Sequence, residues 1–259
     1  MAAVEHPVLE THGLTVRFGG HVAVNDVSCA FRPGTLTAIV GPNGAGKTTY
    51  FNLISGQLRA SGGRVSLFGE DISGLSAPQR TRRGIGRAFQ LTNLFPRLSV
   101  LENVRLAVQA HAGIGRDLFS MWHSHVELRE KAEHCLHRVA LAEKRDTVAS
   151  MLPHGDQRKL EVAILLALEP EVFMFDEPTA GMSVDEVPVV LDLIHHVKAL
   201  GDKTILLVEH KMDVVRSLAD RIIVLHQGEL VADGEPEAVI ASPIVQEAYL
   251  GIAQEAAHG

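Results

Sequence analysis

The sequence predicts an α/β fold built around a buried, mostly parallel sheet. Three apolar runs, at residues 35–40, 172–175 and 204–208, are too short for helices and are typical of strands buried on both faces. A helical pattern at residues 187–200 lies between the last two runs, as expected of a βαβ unit. Polar residues that follow such strands lie at the carboxyl edge of the sheet, which is where α/β proteins bind ligands.

The first of these runs continues into a glycine-rich loop at residues 41–46 and then into a helix predicted over residues 47–58. Residues 8–32 and 62–73, which are rich in Val, Thr, Phe and Gly, predict an antiparallel β region that flanks the core. The first strand of the sheet and the flanking β region therefore occupy the first third of the chain.

The middle of the chain has a different pattern. Residues 92–170 predict almost only helix, with candidates at residues 100–112 and 126–142, and we interpret this stretch as a helical lobe inserted into the core. The predicted organisation is one domain over residues 1–259, with the core divided between residues 1–91 and 171–259.

Composition limits the class of protein. The 259 residues are 46% hydrophobic, which suffices for one large core, and 24 basic against 31 acidic residues give a net charge of -7. Because the basic residues are scattered, we expect no nucleic-acid partner. Cys29 and Cys135 cannot form a disulfide framework and are expected to be free, half-buried residues in a reducing compartment, with a single disulfide as the alternative. No signal segment and no run of about 18 apolar residues is present, so a membrane role is expected only through a partner.

The glycine-rich loop matches the phosphate-loop motif G-x-x-x-x-G-K-[ST] and lies between a strand and a helix, as that motif requires. Its backbone N–H groups and the helix N-terminus would hold phosphate, while Lys47 adds a point charge and Thr48 a ligand for Mg²⁺. The alternative is a plain glycine turn. The residues expected to contact a nucleotide here are Gly41, Pro42, Asn43, Gly44, Ala45, Gly46, Lys47, Thr48 and Thr49. The fold class is therefore a P-loop NTPase core.

Phosphoryl transfer also needs a carboxylate for the metal and a group that orients the attacking water. Asp176, at the end of an apolar strand, is the natural metal-side acid, and Glu177 beside it could polarise the water. The alternative is that the two acids only cap the following helix.

These residues resemble the ATP-binding subunits of ABC transporters, and the resemblance covers nearly the whole chain. By that resemblance, Phe18 in Val-Arg-Phe-Gly would stack on adenine, and Gln90 in Gly-Arg-Ala-Phe-Gln would link Mg²⁺ and the water to the helical lobe. Asp176 would hold the metal, Glu177 would be the catalytic glutamate, and His210 in Val-Glu-His would contact the γ-phosphate. The implied cofactors are ATP and Mg²⁺.

Residues 152–157 are similar to the family signature, usually Leu-Ser-Gly-Gly-Gln, which precedes a helix and faces the nucleotide of a second subunit. The residues concerned are Leu152, Pro153, His154, Gly155, Asp156 and Gln157. Pro153 replaces the serine and lacks both its hydroxyl and a backbone N–H, and Asp156 replaces the last glutamine. The resemblance therefore implies a weakened signature, with repulsion between Asp156 and the triphosphate unless that carboxylate faces away. The stretch Ala-Gly-Met-Ser at residues 180–183 also departs from the usual Ser-Ala-Leu-Asp and puts its cross-dimer contact in doubt.

Three stretches of the sequence are similar to one branch of the family. Residues 94–104, the stretch Glu-Pro-Thr-Ala-Gly-Met at residues 177–182, and the ending Ala-Tyr-Leu-Gly at residues 248–251 are similar to the ATPases of branched-chain amino acid importers, with importers of urea and carboxylates nearby. The resemblance implies a second ATPase subunit, identical or different, two transmembrane permease subunits and, indirectly, a periplasmic binding protein. It places the chain at the cytoplasmic face of the inner membrane, with residues 108–127 as a candidate permease contact.

Three other functions remain open at this point. The ATPase of an exporter, such as that for lipopolysaccharide, has a closely similar sequence. A soluble ABC ATPase of translation or DNA repair usually has two cassettes or a long coiled coil, and this chain has one cassette without sustained heptads. The third is a small P-loop GTPase or kinase. A GTPase needs Asn-Lys-x-Asp for guanine, whereas residues 210–213 read His-Lys-Met-Asp.

Overall fold

The computed structural model describes residues 6–88, 94–113, 123–182 and 187–247, without the side chains of residues 123–125. The strands are β1 (Leu9–Phe18), β2 (His21–Phe31), β3 (Leu36–Val40), β4 (Gly62–Leu67), β5 (Glu70–Asp71), β6 (Ile85–Ala88), β7 (Val172–Asp176), β8 (Thr204–Val208), β9 (Arg221–His226) and β10 (Glu229–Gly234). The helices are α1 (Lys47–Ser55), α2 (Ala77–Arg82), α3 (Val100–His111), α4 (His123–Arg138), α5 (His154–Ala167), α6 (Val187–Lys198), α7 (Met212–Leu218) and α8 (Pro236–Ile240).

A six-stranded sheet forms the centre of the molecule, in the order β10-β9-β3-β8-β7-β6. All of its neighbouring strands run parallel except β10, which pairs antiparallel with β9. Every residue of β3, β7 and β8 is buried, which explains why these strands read as continuous apolar runs. The prediction of a mostly parallel sheet is confirmed, and the loops after β3, β7 and β8 meet at one edge.

Strand β7 separates the two hydrophobic layers of the molecule. Phe173 and Phe175 face α3, α4 and α5, and their rings lie 6.3 Å apart, while Val172 and Met174 face α1 and the second sheet. This alternation follows from the period of two along a strand. The helices and the flanking sheet are therefore packed on opposite faces of the same strands.

The second sheet is antiparallel and has the order β2-β1-β4-β5, which confirms the predicted β region at residues 8–32 and 62–73. It covers α1, whose Phe51 and Ile54 are fully buried. The sheet thus fixes the helix that follows the phosphate loop.

The first helix is shorter than predicted, because α1 ends at Ser55 and not at residue 58. Gly56 adopts a left-handed conformation with φ 78°, which terminates the helix. The buried guanidinium of Arg80 donates to the carbonyl oxygens of Leu53 and Ile54, both at 2.7 Å, and satisfies the last turn.

The other helix boundaries differ for similar reasons. Helix α4 begins three residues before the predicted start and ends at Arg138, not at residue 142, because Ala140 is left-handed with φ 54°. Helices α3 and α6 end one and two residues earlier than predicted. Both cysteines are free, and both are buried rather than half-buried. No helix in the described ranges is both long enough and apolar enough to cross a membrane.

Candidate active site

The phosphate loop lies between β3 and α1, as predicted, and its shape depends on glycines. Gly41 has φ 148° and Gly46 has φ 96°, and a Cβ atom at Gly46 would lie 2.5 Å from the carbonyl oxygen of Ala23. Only glycine fits both the conformation and the space. Gly46 also begins α1 without a side-chain cap, so the first N–H groups of the helix face outward as an anion site.

Lys47 is almost fully buried against the loop from which it projects. Its Nζ donates to the carbonyl oxygens of Gly41 at 2.7 Å and Pro42 at 2.9 Å. Burial lowers the pKa of the Lys47 ammonium, while the negative charges of Glu177 and Asp176 oppose that shift. The ammonium is therefore held inside the loop, beside the two acids.

A cavity of about 330 Å³ opens over this loop. Its lining consists of His21, Ala23, Asn43, Gly44, Ala45, Gly46, Lys47, Thr48, Thr49 and Glu177. The structure therefore brings most of the predicted phosphate-contacting residues and one of the two acids into a single concave site. Phe18, at the end of β1, pairs with His21, and its ring is 51% exposed, so the expected stacking surface is accessible beside this cavity.

Asp176 ends β7 and is tied to a cation that the sequence interpretation missed. The Nη2 of Arg87, on β6, donates to Asp176 Oδ2 at 2.5 Å, and both side chains are more than nine-tenths buried. Burial raises the pKa of the Asp176 carboxyl, and Arg87 opposes the shift. Arg87 also donates to Asn52 and Ser55 of α1, both at 2.8 Å, and so links Asp176 to the helix that follows the phosphate loop.

The donor set fits Mg²⁺, because the Thr48 hydroxyl and the Asp176 carboxylate are hard oxygen ligands of the type this ion prefers. Gln90, the third predicted metal-side residue, lies outside the described residues.

Glu177 follows β7 in a conformation that is unusual for a residue with a side chain, with φ 46°. Its N–H donates to the carbonyl oxygen of Val208 at 2.9 Å, so the neighbouring strand β8 holds it in place. Such strain persists only where the surroundings fix it, and it is common at functional positions.

His210 follows β8 and is 49% exposed at the side chain. Its Nδ1 lies 3.4 Å from Oε1 of Glu209, a fully buried residue that the sequence interpretation did not select. The carboxyl edge of the sheet thus carries the loops of Lys47, Asp176, Glu177 and His210.

The signature residues lie at the start of α5 and are absent from the lining of the described phosphate-loop cavity. Pro153 is the N-cap residue and provides no side-chain cap, Leu152 is buried and His154 is exposed. Gln157 donates through Nε2 to the carbonyl oxygen of Leu152 at 3.0 Å. The N-terminus of α5 therefore presents uncapped N–H groups next to Gly155.

The family resemblance implies that the Asp156 carboxylate would repel a triphosphate. Two lysines that the sequence interpretation did not connect with Asp156 offset this negative charge. Lys144 donates to one carboxylate oxygen and Lys159 to the other, the latter at 3.0 Å. Burial raises the pKa of Asp156, but these hydrogen bonds outweigh it, and the pKa lies below its ordinary value. The negative charge of Asp156 is therefore balanced by the two lysines. Residues 180–183, which differ from the usual Ser-Ala-Leu-Asp of the family, are described as far as residue 182. Ser183 lies outside the described residues.

Comparison with known proteins agrees with this geometry. Residues 24–180 match the family model for the ABC transporter. The chain is 39% identical to the high-affinity branched-chain amino acid transport ATP-binding proteins LivG of Salmonella typhimurium and BraF of Pseudomonas aeruginosa, over 96% of this chain and 99% of each relative.

Solved structures show the same similarity. An ATP-binding cassette of an ABC transporter in the ADP conformation superposes with a TM-score of 0.80 at 29% identity, covering 95% of this chain and 99% of that one. A dimeric ATP-binding cassette in a post-hydrolysis state, bound to ADP and Pi, gives 0.73 at 26% identity, covering 88% and 98%. With a family match over more than half of its length and close relatives over nearly all of it, the chain belongs to the ABC transporter family.

Proposed function

We propose that this protein is the ATP-hydrolysing subunit of an importer for branched-chain amino acids or a related small polar or carboxylate solute. The observation that carries the proposal is the 39% identity, over 96% of the chain, to ATP-binding proteins of branched-chain amino acid transport. The site supports the ATPase part, because a phosphate loop, two acids and His210 lie at one sheet edge.

The residues of the site divide the work of hydrolysis. The loop N–H groups and Lys47 bind the phosphates, and Phe18 stacks on the base. Thr48, Asp176 and Gln90 would hold Mg²⁺, which neutralises charge on the phosphates when bound. Glu177 orients the attacking water and accepts its proton, and His210 donates to the γ-phosphate.

The residues of the signature would act on a nucleotide held by a second ATPase subunit. The uncapped start of α5 supports this role, because the N–H groups of His154, Gly155 and Asp156 are free of side-chain caps and suit an anion. Pro153 removes only a hydroxyl and an N–H that precedes the helix. We therefore propose a functional, weakened signature in which Lys144 and Lys159 cancel the charge of Asp156.

The proposed assembly has two ATPase subunits under two permease subunits, at the cytoplasmic face of the inner membrane, with a binding protein outside. Residues 1–91 and 171–259 would act as the nucleotide-binding core and residues 92–170 as the helical lobe. A groove of about 370 Å³ between α2, β6 and α5 is suited to a permease helix, because Pro78, Ile164 and Leu168 line it with apolar surface. The contact predicted at residues 108–127 falls largely outside the described residues.

The proposed ATP-driven dimer closure is tested by light scattering of the Glu177→Gln protein with and without Mg-ATP. We expect a dimer with Mg-ATP and a monomer without it, and the double variant that also carries Lys47→Ala should stay monomeric. Bound ATP without a dimer would mean that a different ATPase subunit supplies the second signature.

The cargo is tested in the native host. Deletion of the gene should abolish high-affinity uptake of radiolabelled leucine, and the wild-type gene, but not the Glu177→Gln gene, should restore it. Unchanged uptake of leucine, isoleucine and valine would refute the branched-chain assignment and leave the ATPase assignment intact.

A further inference from the structure

A buried carboxylate lies next to the active site with no role in the proposed chemistry. Glu209 directly follows β8 and is completely inaccessible to solvent. A buried carboxylate is costly unless hydrogen bonds satisfy its oxygens. Glu209 therefore needs hydrogen-bond donors from the surrounding residues.

Three donors satisfy this carboxylate. Thr179 Oγ1 donates to Oε2 at 2.9 Å, and the backbone N–H groups of His210 and Lys211 donate to Oε1 at 3.0 and 3.2 Å. Both carboxylate oxygens of this buried side chain therefore have hydrogen-bond donors. Glu209 thus forms a rigid bridge between two segments that are 30 residues apart in sequence.

The first of these segments carries Glu177. Thr179, itself fully buried, lies two residues after Glu177, and the N–H of Ala180 donates to the carbonyl oxygen of Glu177 at 3.0 Å. The Nζ of Lys211 donates to the carbonyl oxygen of Thr179 at 3.4 Å and adds a second link between the segments. The strained backbone of Glu177 is therefore fixed on one side by β8 and on the other by the turn that Thr179 anchors.

The second segment carries His210. Because one oxygen of Glu209 accepts both the N–H of His210 and that of Lys211, it fixes the backbone direction in which the chain leaves β8. The other oxygen fixes the loop of Glu177. Together with the contact between Lys211 and Thr179, this side chain thus sets the spacing between the two loops. Glu209 does so from behind the phosphate-loop cavity, whose lining does not include it.

We propose that Glu209 is a positioning residue for hydrolysis. It holds the loop of Glu177 through Thr179 and the loop of His210 through the backbone N–H of His210. This inference rests on the roles proposed above for Glu177 and His210. Glu209 acts through hydrogen-bond geometry, since its three hydrogen bonds come from one hydroxyl and two backbone N–H groups, while the Nδ1 of His210 lies 3.4 Å from Oε1 beside them. A glutamine could keep them all, because its oxygen accepts the two N–H groups and its NH₂ donates to the Thr179 hydroxyl.

The experiment compares Glu209→Ala, Glu209→Gln, Thr179→Val and the double variant Glu209→Ala/Thr179→Val in steady-state ATP hydrolysis. Nucleotide affinity and thermal melting are measured alongside. We expect Glu209→Ala and Thr179→Val to lower kcat about tenfold or more, because small misplacements of reacting groups cost one to two orders of magnitude. KM and nucleotide affinity should stay within about twofold, since the contacts of the phosphate loop are untouched. Glu209→Gln should recover most of kcat, and the double variant should be no slower than Glu209→Ala.

Thr37→Val provides the matched control. Thr37 is a buried threonine on β3 whose Oγ1 has no hydrogen-bond partner within the described parts of the chain, so its replacement should leave kcat unchanged.

Three kinetic outcomes would overturn the proposal. These are a Glu209→Gln protein as slow as Glu209→Ala, a wild-type kcat for Thr179→Val, or multiplicative losses in the double variant. A loss of activity fully explained by a lower folded fraction would also overturn it. The proposed function fails separately, if Glu177→Gln hydrolyses ATP at the wild-type rate.

Discussion

The guanidinium of Arg87 and the carboxylate of Asp176 form a buried ion pair, with Nη2 and Oδ2 2.5 Å apart. Removing one partner of such a pair leaves an uncompensated buried charge. Arg87→Ala should therefore lower the free energy of unfolding of the nucleotide-free protein by about 3 kcal/mol, measured by urea denaturation. Arg83→Ala is the matched control, because its pair with Glu70 is exposed and should contribute less than about 1 kcal/mol. Equal losses in the two variants would contradict a structural role for the buried pair.

Lys47→Ala should abolish ATP binding, because it removes the only side-chain cation in the lining of the described phosphate-loop cavity, apart from His21 when protonated. The measurement is titration with a fluorescent ATP analogue, with circular dichroism to confirm the fold. Lys131→Ala, on the exposed surface of α4, should bind as the wild type does. If the Lys47→Ala protein binds ATP with wild-type affinity, the phosphate-loop assignment is wrong.

Glu177→Gln should bind ATP nearly as well as the wild type and hydrolyse it roughly 100-fold more slowly or worse, since the amide cannot accept the proton of the attacking water. Phosphate release in a single turnover separates this defect from product release. Glu237→Gln, an exposed residue of α8, should hydrolyse normally. A normal rate for Glu177→Gln would move the catalytic role to another residue.

The ion pairs of Asp156 should make the free energy of unfolding depend on pH. Because its pKa in the folded protein lies below the ordinary value, its ion pairs contribute stability at pH values above about 4, and this is lost as the pH falls through the folded-state pKa. In urea denaturation, Asp156→Asn should be less stable than the wild type at pH 6, and the difference should shrink towards zero in strong acid. Asp146→Asn, with a side chain that is 85% exposed, should differ little at either pH. A constant difference for Asp156→Asn would mean that the loss comes from packing and not from charge.

The strands that the sequence predicted correctly are those with a purely local signal. Strand β7 is apolar up to its last residue, Asp176, and β8 is apolar after its first residue, Thr204, and each strand is followed at once by a glutamate. Strand β6 was missed because its four residues include Gly86 and Arg87, which have no strand signal. A Cβ at Gly86 would lie 2.4 Å from Leu165 Cδ1, so the glycine lets α5 pack closely against β6. This packing is a tertiary contact, which the local sequence does not show.

The same limit applies to the site. The phosphate loop and the acids have fixed local patterns, and the prediction placed them at the correct edge. The importance of Glu209 depends on β7 and β8 being neighbours, and that of Lys144 depends on its fold-back onto α5. Neither relationship has a period or a motif that can be read along the chain.

In the proposed site, the two carbonyl contacts of Lys47 should affect the speed of nucleotide capture. A free lysine side chain loses up to about 2 kcal/mol of rotamer freedom when it is immobilised, and here that loss occurs during folding. Incoming phosphates would meet an ammonium whose position is already fixed, with one of its three N–H groups not used by those two contacts. Association should therefore be limited by diffusion and electrostatic steering, and slow exchange of nucleotide would have to come from the departure of the product.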